Sequence, residues 1–183
     1  MKSAISLLAG LVVAASLAGA PALARSWKST PQDLAQDYSQ ILDNRGKGEV
    51  VMVWWLVPTT MPEYPDAQKV LDRYLVIGVV HAKIDMAAGG VMSFDPAVDV
   101  VAKDADGNEL TRIDDSSQPP VVSAMLAGMQ GVLSQAIGQM GQGIHWIVFD
   151  TNSVHACQKG GLSVQYAGET YTYQTPIPGC PAG

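Results

Sequence analysis

The run from Glu49 to Val57 reads Glu-Val-Val-Met-Val-Trp-Trp-Leu-Val. Valines and aromatics without polar alternation leave no face suited to water, so this segment reads as a strand buried on both sides. Such a strand needs cover above and below, which restricts the chain to layered folds. Trp54 and Trp55 are adjacent in it and therefore point into opposite layers. One fills the core, and the other packs beneath a helix or anchors a partner.

The segments around this strand supply candidates for both covers. Thr30-Pro31 followed by Asp33 carries the marks of a helix start, and Leu34, Tyr38, Ile41 and Leu42 recur at helical spacing until Asn44-Arg45-Gly46. That pattern predicts a short amphipathic N-terminal helix. Pro58, Pro62 and Pro65 interrupt regular structure, and Asp66 to Arg73 suits a second short helix. Tyr74 to Met86 alternates, with Val76, Val80, Ala82, Ile84 and Met86 on one side. The other side turns polar towards His81, Lys83 and Asp85, as in a long strand with one buried face. Ala88-Gly89-Gly90 returns it into Val91 to Phe94.

Val98–Lys103 and Leu110–Ile113 flank Asp104-Ala105-Asp106-Gly107-Asn108, a hairpin signal centred on Asp106-Gly107. The acids also invite a calcium-loop reading, but the ligand spacing and the twelfth-position glutamate of an EF-hand are missing, so a plain turn is expected. Leu162–Tyr166 and Glu169–Gln174 flank Ala167-Gly168. A two-residue turn there would set Val164 opposite Tyr171 and Leu162 opposite Tyr173, gathering the apolar residues of both strands on one side.

Between Ser116 and Phe149 there is no Asp, Glu, Lys or Arg. After Pro119-Pro120, the residues Val122, Leu126, Met129, Leu133, Ile137 and Met140 step by three or four and predict a helical stripe near 120–140. An uncharged stretch of this length needs cover, from the domain's own sheet or from another chain. Val122, Leu126, Met129 and Leu133, together with Trp54 and Trp55, are therefore the candidate partner surface. Its amides and hydroxyls suit a bilayer poorly.

Residues 1–24 read as an export signal: Lys2, an apolar run from Ala4 to Leu17, the breakers Gly19 and Pro21, and the small-x-small pattern Ala22-Leu23-Ala24. Cleavage before Arg25 would leave residues 25–183 as a single exported domain, periplasmic or secreted, that does not span the membrane. The acidic balance, a formal charge of −6, argues against nucleic acid as a partner. In an exported chain the two cysteines, Cys157 and Cys180, are expected to form a disulfide, whereas thiolate zinc sites draw on more clustered ligands.

Three histidines are candidates for chemistry: His81, His145 and His155. Neither His-Glu-x-x-His nor Gly-x-Ser-x-Gly occurs, so no catalytic or metal-ligating residue and no cofactor is assigned. The short strands, glycine turns and late cysteine pair resemble, in outline, exported immunoglobulin-like sandwiches. The expected fold is mainly β or α+β: an antiparallel β-sandwich with an N-terminal helix and a helical insertion near 120–140. The expected function is a non-catalytic exported binding or assembly module of the cell envelope, engaging a protein partner or a second copy of itself. The alternative is a small envelope hydrolase or metal-binding protein using His81, His145 and His155.

Overall fold

The computed structural model describes residues 39–61, 63–151 and 153–177, together with Cys180. The export signal and the Thr30–Tyr38 part of the expected N-terminal helix lie outside these residues. The described chain is mostly antiparallel β-sheet with a few helices. Its strands are β1 (Ser39–Asn44), β2 (Glu49–Leu56), β3 (Tyr74–Asp85), β4 (Val91–Phe94), β5 (Val101–Asp104), β6 (Arg112–Ile113), β7 (His145–Asp150), β8 (Gly160–Tyr166) and β9 (Glu169–Thr175). Its α-helices are α1 (Pro65–Leu71), α2 (Pro120–Ala136) and α3 (Gln139–Gln142).

One sheet runs β1-β2-β3-β7-β6, with β4 also paired to β3, and the second runs β5-β8-β9. β2 and β3 are buried on both faces. Val51, Val53 and Trp55 of β2 and Leu75, Ile77 and Val79 of β3 share one core with Leu162, Val164, Tyr171 and Tyr173 of the second sheet. The opposite face offers Leu56, Val76 and Val148 to the helices, which answer with Val70, Leu71, Val122, Leu126 and Met129. Each such aliphatic side chain removed from water contributes about 1.5–3 kcal/mol before entropy is counted, so helical cover follows from the pattern of β2 itself.

Four expectations need correction. Ile41 and Leu42, read as helical, belong to β1, which pairs with β2 from Ser39↔Trp54 to Asn44↔Glu49. Leu42 packs on the core while Ile41 is 61% exposed. Neighbouring apolar residues fit strand alternation as well as helix spacing, and the open edge of β2 supplies the hydrogen bonds that decide it. Second, β3 is covered on both faces as far as Ala82, not on one. Third, the turn around Gly107 forms, but its return strand does not continue the hairpin. After the single bridge Lys103↔Glu109, β6 crosses to the other sheet and pairs with β7.

Fourth, the helical stripe ends at Ala136. Gly138 has φ +59° and ψ −129°, a conformation only glycine adopts readily, and it starts the separate short α3. Ile137 is consequently 46% exposed, and Met140 packs on a different cluster.

The β8–β9 register is Val164↔Tyr171 and Leu162↔Tyr173, as the alternation predicts. The turn residues Ala167 and Gly168 both have positive φ. Cys157 and Cys180 are at disulfide distance, with Cα atoms 5.4 Å apart. Among the described residues no helix is long and apolar enough to cross a membrane.

Candidate functional site

α1 and α2 lie on the same face of the first sheet and leave a groove between them. α1 begins with Pro65, has Asp66 in its first turn, and turns Val70 and Leu71 inward. α2 starts at Pro120 and buries Val122, Leu126 and Met129. One position before or after each inward residue, a second apolar row emerges at 121, 125, 128 and 132. Val121, Met125, Gly128 and Val132 line the groove from that side. Met61, Tyr64 and Val70 line it from the other, and Trp54 is also among its lining residues. The groove encloses about 770 Å³, the size of a small-ligand site.

The Trp54 ring centroid lies 5.9 Å from that of Trp146, and its buried Nε1 has no acceptor among the described residues. Trp146 is better fixed: its Nε1 donates to Gln130 Oε1 at 2.9 Å, and Gln130 Nε2 donates to the Gly141 carbonyl at 2.6 Å. Gln130 therefore joins α2 to the sheet, through Trp146 of β7, and to the short helix α3.

The candidate partner surface divides between core and groove. Trp55 is 3% exposed in the core between the sheets, edge-on to Tyr173 at 5.8 Å, and Val122 and Leu126 are buried under α2. Trp54, Met129 and Leu133 line the groove. Val121, Met125, Val132, Met61 and Tyr64 went unnoticed in the sequence. The 121-125-128-132 row was visible there, but the separation of α1 from α2 was not.

A second group of polar side chains gathers around His81, which is 8% exposed. Its Nε2 lies 2.7 Å from Glu49 Oε1, and its Nδ1 lies 2.9 Å from the Tyr166 hydroxyl and 2.8 Å from Asp95 Oδ2. Lys83 Nζ donates to the other Asp95 oxygen, and His145 Nε2 is 2.8 Å from the Asp95 backbone carbonyl. The Lys83 ammonium holds the Asp95 carboxyl below its usual range; burial opposes this, and charge on His81, Lys83 and His145 assists it. Burial pushes the Tyr166 hydroxyl up to about 12, with the Asp95, Tyr171 and Glu49 charges adding to the effect.

This group clasps the two sheets together, since His81 belongs to β3 and Tyr166 to β8. Both ring nitrogens of His81 are engaged in it. His155 stands apart, lining a smaller cavity with Trp55, Leu75 and Cys157. Among the described residues no three His, Cys, Asp or Glu side chains are arranged to hold a metal ion. The Asp104–Asn108 acids form a turn: Asp104 Oδ1 accepts from the backbone N–H of Asp106 at 3.0 Å and of Asn108 at 2.9 Å.

Comparison with protein-family models, curated proteins and solved structures finds no match to this chain.

Proposed function

We propose that this chain is a non-catalytic exported binding or assembly module of the cell envelope, and that the groove between α1 and α2 is its binding surface. The observation that carries this reading is the groove itself: about 770 Å³ walled largely by apolar side chains, with no other described residue seated in it. Contiguous uncovered apolar surface is costly in water and marks interaction sites. Three of its walls are Met61, Met125 and Met129, whose flexible thioethers adapt to varied ligands.

Export is supported by the reading of residues 1–24 and by a cysteine pair at disulfide distance, which suits an oxidising compartment. The finer fold reading, a β-sandwich of immunoglobulin-like outline, draws support from the core that the two sheets share. The hydrolase or metal-protein alternative lacks a comparable observation, because His81 spends both ring nitrogens on the clasp and His155 lies elsewhere.

Titration with N-phenyl-1-naphthylamine, a neutral apolar fluorophore, tests the reading. A Cβ added at Gly128 meets nothing within 4 Å, so Gly128→Phe fills the groove without disturbing the core. Saturable fluorescence in the wild type, lost in Gly128→Phe with no fall in melting temperature, is the expected result. Equal titrations of the two proteins would overturn the assignment.

A further inference from the structure

The charges around the groove are one-sided. Among the described residues, Glu63 and Asp66 line it and no Lys, Arg or His does. The α2 wall carries no charged residue from Pro120 to Ala136. Lys69 bonds Asp66 at 3.0 Å, but both side chains are mostly exposed, so the pair is weak and readily exchanged. A fatty-acid carboxylate, a phospholipid phosphate or an acidic peptide would meet repulsion at this rim. A cationic group would meet attraction.

The shape narrows the occupant further. Val121 and Val132 stand along one wall about three helical turns apart, roughly 16 Å. Between them Ala124 and Gly128 are small, and the added Cβ at Gly128 finds open space. This makes a notch for one bulky side chain, with apolar contacts about one turn away on either side. Anchors at that spacing belong to one face of an α-helix. Met61, Met125 and Met129 can shift to fit the anchors.

We propose that the groove takes an amphipathic helix of a partner protein, apolar on one face and flanked by Lys or Arg. The proposal rests on the groove being the binding surface and adds the partner's chemistry. Glu63 and Asp66 select the cationic flank, and the notch at Gly128 receives the central apolar residue. Because both acids are exposed, the charge selection fades as salt rises, while the apolar contribution remains.

Two synthetic helices of about 18 residues, the length of the α2 wall, supply the test. They share a leucine face and differ only in lysine or glutamate flanks. On the intact protein at low salt, the lysine peptide should bind roughly tenfold more tightly or better. The double variant Glu63→Lys/Asp66→Lys should reverse the preference, and Gly128→Phe should weaken both peptides with no fall in melting temperature. Equal binding of the two peptides, unmoved by the charge reversal, would overturn the cationic partner and leave the groove reading standing. Peptide binding unaffected by Gly128→Phe would remove the groove reading itself.

Three other occupants would also overturn the proposal. Self-association abolished by Gly128→Phe would assign the groove to a second copy. Direct binding of the protein to anionic vesicles without peptide, abolished by Gly128→Phe, would assign it to lipid. A roughly tenfold gain in peptide affinity on Leu34→Asp would assign it to the chain's own residues before Ser39.

Discussion

The two faces of β2 and β3 are built from the same kinds of residue and meet different covers. On one, Val51, Val53, Trp55, Ile77 and Val79 lie against the second sheet, and the Tyr173 hydroxyl crosses between the sheets to donate to the Val53 carbonyl at 2.9 Å. On the other, Trp54 and Leu56 lie under two helices that do not meet over the whole face. A sheet covers a face continuously because its strands are tied at a fixed spacing of about 4.8 Å. Helices sit 8–10 Å apart at best, and anything wider leaves a groove. The difference lies in the cover, not in the strand.

The adjacent tryptophans probe this comparison most sharply. Trp55→Ala should cost about 4 kcal/mol, because it opens a cavity where the surroundings cannot collapse. Trp54→Ala should cost about half as much, since its side chain is only partly buried whereas Trp55 is 3% exposed. Urea denaturation of both variants checks this, and equal losses would break the distinction between the faces.

Cys180 packs against the sealed core, so the Cys157–Cys180 link should matter on that side. The double variant Cys157→Ser/Cys180→Ser should lose about 3 kcal/mol on the chain-entropy model, with apolar-probe binding in the groove unchanged. A loss of probe affinity in a still-folded variant would show that the two faces are coupled.

Acid should loosen the sealed side at the His81 clasp. The Asp95 carboxyl is depressed in the folded state, mainly by its hydrogen bond from Lys83. Its stabilisation is therefore complete above the ordinary carboxylate pKa of about 4 and is lost as pH falls through the lower folded value. Melting temperatures from neutral pH down to about pH 3 should fall in the wild type and less steeply in Asp95→Asn. Parallel curves would mean that Asp95 contributes nothing titratable to the clasp.

The smallest effect concerns the groove wall. Gly128→Ala should raise stability by about 0.5–1 kcal/mol, because the site is helical and the added methyl meets nothing. Gly78→Ala should do the reverse, its Cβ falling 2.8 Å from the Trp146 ring and 2.9 Å from Ile144. Thermal melts separate the two.

What could be read from the chain follows the same divide. The double burial of β2 and the β8–β9 register were legible because alternation and a two-residue turn are local signals. β1 was misread because Ile41-Leu42 suits either periodicity until the edge of β2 is known. β6 pairs across to β7, and no residue in Arg112-Ile113 announces that partner. The clasp draws Glu49, His81, Asp95 and Tyr166 from four places that only the strand pairing brings together. The inward stripe of α2 was visible, but the groove depends on how far α1 stands from α2.

Seven of the eight methionines lie among the described residues and report on the groove in one experiment. Met61, Met125 and Met129 line the groove, whereas Met52, Met92 and Met140 pack around another cluster and Met86 stands exposed. Methyl NMR of methionine-labelled protein, titrated with the lysine-flanked helix, reports on all of these at once. If the groove is the binding surface, Met61, Met125 and Met129 shift together and saturate at one stoichiometry while Met52, Met86, Met92 and Met140 stay in place. Shifts centred on Met86 and Met92, with the groove methionines unmoved, would contradict it.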